Sequence, residues 1–181
     1  MQYGWTPKSH FRAAAIIRSM SYDNLTAHKT ESEIGWGVLA SATFNVMNCL
    51  QVYGQGVYGK GIGQFLNDMS LLNVDVVPNP EKEGKMQVLP MMGWFAGMQY
   101  NFSPKVFITS TYGQSRLYSH DGYPTTPSEQ YRYGQYLNAT LFWNITSDLQ
   151  VGAEYLRGWR TDFNGDTRHA NRMNLAVQYS F

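Results

Sequence analysis

The sequence predicts an all-β fold: an antiparallel, up-and-down transmembrane β-barrel, with about eight strands present in one domain spanning residues 1–181. Three observations predict it: a composition poor in charge and rich in aromatics, period-two alternation in segments of membrane-strand length, and connections that alternate between short and long. Charged residues make up 15% of the chain and aromatics another 15%, against roughly 25% charged residues in soluble domains. The mean hydropathy of −0.38 is too polar for a bundle of membrane helices. Such a balance suits strands that show lipid one face and water the other.

The same numbers exclude several classes. A net charge of +1 argues against nucleic acid as a partner. Cys49 is the only cysteine, so no intrachain disulfide or cysteine-based metal cluster is possible. The apolar run Ala13–Ile17 is too short for the core of an export signal. The stretch VLPMMGWFAGM, starting at Val88, is too short for a spanning helix, and Pro90 interrupts it.

Eight segments read as strands: 11–22, 34–45, 49–59, 88–102, 105–117, 131–145, 149–160 and 169–181. A tilted membrane strand needs about 9–11 residues. Short turns are expected at 45–48, 103–105 and 145–148, and long polar connections at 23–33, 60–87, 118–130 and 161–168. Outer-membrane barrels have this pattern, with short periplasmic turns and long external loops. In 34–45 one parity holds Trp36, Val38, Ala40, Ala42 and Phe44. In 131–145 Tyr133, Leu137, Leu141 and Trp143 face away from Arg132, Asn138, Thr140 and Asn144. The last strand sets Met173, Leu175, Val177, Tyr179 and Phe181 against Arg172, Asn174 and Gln178. The segment 105–117 does not alternate cleanly, and its faces stay unassigned.

Aromatics gather at strand ends. Trp36, Tyr133 and Trp159 lie beside long loops, and Phe102, Phe107 and Trp143 beside short turns; with Phe44 they outline an aromatic girdle. Residues 3–13 repeat the layout of 100–110, an aromatic strand end followed by Thr-Pro-Lys or Ser-Pro-Lys. Residues 1–10 therefore read as the tail of a preceding strand plus a periplasmic turn, and the chain as the carboxyl-terminal part of a larger barrel.

Charge placement bears on function. Seven of the eight Arg fall on predicted strands or their outer ends, the six Lys fall in loops, turns or the leader, and Glu154 is the one carboxylate inside a predicted strand. Guanidinium is permanently charged and matches carboxylate and phosphate forks. Arg12, Arg18, Arg116, Arg132, Arg157 and Arg172, with Glu154, are the expected pore-lining, anion-binding set, since cationic lumens favour anions. Arg157, Arg160 and Arg168 can equally pair with Glu129 or Asp162, or bind lipopolysaccharide at the rim. Eight strands enclose little more than side chains, so this many cations imply a wider lumen. The long connection 60–87, with Phe65-Leu66 and Leu71-Leu72, is the best candidate to fold inward as a constriction.

Catalytic chemistry is not expected. His10, His28, His120 and His169 lack metal-ligand spacing, and no Ser–His pair shares a strand face. GQGVYGKGIG, starting at Gly54, lacks the Lys-Ser/Thr of a phosphate loop. No metal or cofactor is implied.

The final MNLAVQYSF, starting at Met173, resembles the carboxyl-terminal signal of outer-membrane proteins; this implies that Tyr179 and Phe181 are read by the barrel assembly machinery. GWGVLASATFN, GIGQFLND, QVGAEYLRGWR and ANRMNLAVQYSF together resemble the DcaP-like family of outer-membrane porins. That resemblance implies a barrel of about sixteen strands, a homotrimer in outer-membrane lipid, and passive transport of small anionic solutes, dicarboxylates among them. Three alternatives stand beside it: a complete eight-stranded barrel acting as an anchor or adhesin, a barrel lipid hydrolase, and a soluble β-sandwich.

Overall fold

The computed structural model describes residues 9–25, 27–127 and 129–181, together with the backbone of residues 2–6. Nine strands form one antiparallel sheet: β1 Gln2–Thr6, β2 Ser9–Asn24, β3 Lys29–Met47, β4 Leu50–Lys60, β7 Pro90–Asn101, β8 Val106–Leu117, β9 Tyr131–Asn144, β10 Leu149–Asp162 and β11 Thr167–Tyr179. A small hairpin, β5 Val76–Pro78 with β6 Met86–Val88, lies between β4 and β7. The sheet is a simple meander in which every strand pairs with its nearest neighbour in the chain. Among the described residues β1 and β11 are not paired with each other, so the sheet is not a closed eight-stranded barrel. No helix is long and apolar enough to cross a membrane among the described residues.

All eight expected strands are present, with different ends. β2 and β3 climb well past 22 and 34, leaving four residues, 25–28, between them where eleven were expected. The β10–β11 connection likewise shrinks to 163–166. Lipid imposes alternation only along the hydrocarbon; above it both faces are wet, and Thr30-Glu31-Ser32-Glu33 reads as loop. The ladder continues regardless, supported by Thr30 Oγ1 donating to Asp23 at 2.9 Å. Lys29 and Lys60 consequently lie on strands, and Glu154 shares strand positions with Asp23, Glu31, Glu33 and Asp162. The expected Pro7-Lys8 turn lies outside the described residues.

Paired residues on adjacent antiparallel strands point to one face, so the register sorts the sheet. One row reads Asn45, Gln51, Gln99, Thr109, Thr140, Glu154, Asn174 across seven strands. The next row on the opposite face reads Leu50, Tyr100, Ile108, Leu141, Ala153, Leu175. The first face is polar and the second apolar. The apolar face has no protein cover: Trp36, Leu141 and Val177 remain 39%, 48% and 75% exposed. A soluble sandwich would bury these three together, whereas lipid covers them in a barrel. The only cluster of fully buried apolar side chains among the described residues lies elsewhere, beneath segment 61–89.

Candidate permeation surface and its inward segment

Segment 61–89 leaves the top of β4 and returns into β7. It folds down onto the polar face and brings its own core with it. Ile62, Leu66, Met69 and Leu89 pack with Met91 and Leu117 of the wall. Glycines make room: a Cβ on Gly93 would lie 2.5 Å from Leu66, and one on Gly37 3.0 Å from Ile62. The sequence thus clears the wall where the segment docks, and burying Leu66 alone contributes about 2 kcal/mol.

Polar clamps fix the segment at three points. Arg18 on β2 donates to Asp75 at 2.8 Å, to the Gly61 carbonyl at 3.0 Å and to Gln64 at 3.2 Å, with its guanidinium over the Phe65 ring. The other oxygen of Asp75 accepts the Gly63 backbone N–H. At the second point, Asp68 accepts from Ser115 and, at 3.4 Å, from the Tyr131 hydroxyl. At the third, Glu31 pairs with Lys85 at 2.6 Å and Lys29 at 2.9 Å, and Tyr22 joins Glu31 to the Met86 backbone.

Glu31 stands on the part of β3 that rises beyond Trp36, clear of the apolar band. Lys85 first, then Lys29, holds its carboxyl down from 4.5 to about 2. A depressed carboxyl stabilises the fold above its ordinary value and loses that contribution only as the pH falls through the depressed one. The Lys85 tie is therefore expected to survive at pH 4. Carbon-13 NMR of the Glu31 carboxyl should give a midpoint near 2 that rises in a Lys85→Met variant; an ordinary midpoint in both would contradict the clamp.

The polar face carries Arg12, Arg18, Glu154, Arg160, Arg168 and Arg172 by register; Arg132, expected beside them, falls at a bulge of β9 between Tyr131 on the polar face and Tyr133 on the apolar one, with its guanidinium 5.9 Å from the Tyr133 ring. Arg172 is exposed and its Nε donates to Asn174 at 2.7 Å. Glu154 accepts from Asn174, Thr140 and Asn138 at 2.7, 3.1 and 3.2 Å. Arg160 pairs with Asp162 at 2.8 Å, and Arg168 approaches Glu129 at 3.8 Å, the alternative foreseen for these two rim arginines. With Asp68, Tyr131 and Tyr136 they border a cavity of about 460 Å³ on the polar face.

Two expected pore-lining residues are misplaced. Arg116 pairs with Met92 and Tyr133, and Arg157 with Leu137 and Asn171, which sets both on the apolar face. Parity decides this: Arg157 is two residues from Tyr155, and charge alone does not turn a side chain inward. Arg18 is on the expected face, but Asp75 neutralises it. The girdle residues Trp36, Phe44, Tyr133, Trp143 and Trp159 share the apolar face, and Phe102 stacks edge-on to Tyr100 at the β7 turn. Phe107 departs from the girdle; it stacks on Phe142 across the polar face at 4.8 Å. β11 ends at Tyr179, paired with Leu149 on the apolar face, and Phe181 lies beyond the ladder and fully exposed. Asp68, Asp75, Ser115 and Tyr131 were not foreseen. Their partners lie between 12 and 63 positions away, and no local pattern announces such pairs.

No protein-family model matches the chain, and no curated protein does. A solved structure does: the outer membrane channel DcaP of Acinetobacter baumannii superposes with a TM-score of 0.70 over 99% of this chain, at 16% sequence identity. This chain spans 61% of that channel's length. A likeness at such low identity establishes architecture, and the conclusion it supports is that this chain has the antiparallel, up-and-down strand fold of that channel.

Proposed function

We propose that the chain is wall and constriction of an outer-membrane porin that passes small anionic solutes by diffusion. The observation that carries the reading is the two-faced sheet with segment 61–89 laid on its polar side. An exposed apolar band demands lipid, a polar row across seven strands demands water, and an inward segment narrows the passage between them. Likeness in fold to an outer membrane channel supports the same location and role. Residues Tyr179 and Phe181 serve as the assembly signal in this reading.

Anion preference rests on Arg172 and Arg12, both on the polar face by register. Carboxylates offset Arg18, Arg160 and Arg168 at their own positions, so these contribute less to the field along the path. Reversal potentials across planar bilayers under a KCl gradient test the claim on the intact protein. Anion preference is expected, reduced severalfold by R12Q/R172Q; cation preference in the parent, or indifference to the double substitution, would end it.

A further inference from the structure

The apolar face carries cations where hydrocarbon alone would select none. Its basic strand residues from β3 to β11 are Lys60, Arg116, Arg157 and His169, and among the described strands its one carboxylate is Asp23, far off on β2, which accepts from Thr30. Arg116 lies with its guanidinium 5.1 Å from the Tyr118 ring and 5.8 Å from Tyr133, and Arg157 sits 5.0 Å from the Trp159 ring. Neither takes part in an ion pair among the described residues, and each leaves its Nε without a hydrogen-bond partner. An unpaired charge on a lipid-facing wall is costly at mid-depth and far less so at the interface. A partner from the membrane removes that cost.

The partner's chemistry follows from the donors. Two guanidinium groups, each held 5.0–5.8 Å from aromatic ring centroids, carry the N–H donors that pair with phosphate oxygens. Arg116 and Arg157 stand two strands apart and four residues out of step, roughly 16 Å between Cα atoms by ordinary sheet spacing. Gln135 and Tyr133 of β9 fill the wall between them on the same face. The rings mark the headgroup level at the rim of the longer connections. We propose that Arg116 and Arg157, framed by Tyr133 and Trp159, bind the phosphate groups of a phosphorylated membrane lipid lying against the apolar face; the site rests on the membrane-spanning reading above.

Native mass spectrometry of the intact protein in detergent, with diphosphorylated lipid A or its dephosphorylated form added, tests this. The parent should retain the diphosphorylated lipid, and R116Q/R157Q should weaken retention at least about tenfold, the loss of a charge-assisted contact. R116K/R157K should retain an intermediate level, which shows that the wall still folds. R172Q, on the other face, should leave retention unchanged. Equal retention of the phosphate-free lipid, undiminished retention by R116Q/R157Q, or an equal loss with R172Q would overturn the site. So would a changed subunit count in R116Q/R157Q with lipid retention intact, which would assign the patch to a second copy of the chain. Insertion into lipid vesicles is scored separately: a protein that inserts but fails to hold the lipid refutes the site alone, while one that does not insert refutes the membrane reading beneath it.

Discussion

Replacing Asp75 with Asn is expected to loosen segment 61–89 and to raise both the conductance of single channels and its fluctuation. Asp75, midway along the segment, ties it to the wall through Arg18 and to its own start through the Gly63 N–H. Its side chain and that of Arg18 are 21% and 23% exposed, so water competes only partly for the pair. Losing the charge-assisted contact should cost about 2 kcal/mol, a substantial share of what pins a 29-residue excursion by side-chain bonds. The apolar anchors Ile62, Leu66 and Met69 remain, so the segment should open locally while the strands stay paired. Hydrogen exchange reads this without reference to current: the amides of Leu66, Met69 and Ser70, now bonded within the segment, should lose protection while those of β8 and β9 keep theirs. R18Q should act alike, and R18Q/D75N should fall well short of the sum of the single effects, since the two share one interaction. Additive effects, or unchanged exchange in D75N, would show that the apolar anchors alone hold the segment.

What the sequence disclosed and what it hid divide along physical lines. Alternation in 34–45 and 137–144 was legible because hydrocarbon constrains one face there, and the register confirms both faces; nearer the upper rim Gln135 joins the apolar face and the bulge at Arg132 breaks the period. The segment 105–117 resisted assignment because Ser110 and Gln114 soften its apolar face while Phe107 and Leu117 occupy the polar one. Leu117 sits there because segment 61–89 covers it, and Phe107 because Phe142 stacks on it. Both are tertiary facts that a local period cannot carry. The inward course of 61–89 was foreshadowed by its length and apolar pairs, yet its anchors were not, since Arg18 and Asp75 are 57 positions apart. Arg157 is a different kind of miss. Its parity was readable from Leu149, Val151, Ala153 and Tyr155; the expectation that a charge turns toward water displaced the geometry.

A second large effect separates a membrane wall from any soluble sheet, and it uses two adjacent residues of β11. Leu175 belongs to the apolar row with Ala153 and Leu141, and Asn174 to the polar row with Glu154 and Thr140. Leu175 is 84% exposed, so within the protein it contributes almost no packing. Were this face in water, Leu175→Arg would shift stability by no more than about 0.5 kcal/mol, as surface changes do. In a bilayer the same guanidinium lies mid-strand, between Tyr179 near the short turns and Trp159 near the upper rim on neighbouring β10, and should cost about 2–4 kcal/mol. Asn174→Arg places the same group one residue away, beside the Glu154 carboxylate and in water, and should cost under about 1 kcal/mol. Urea titrations of the intact protein folded into phosphatidylcholine vesicles measure both without calling on cellular assembly, which reads the same strand. A gap of at least about 1 kcal/mol in favour of Asn174→Arg is the expected result. Equal costs would mean that the two faces share one solvent, and the sorting of rows into lipid and water would fail with them.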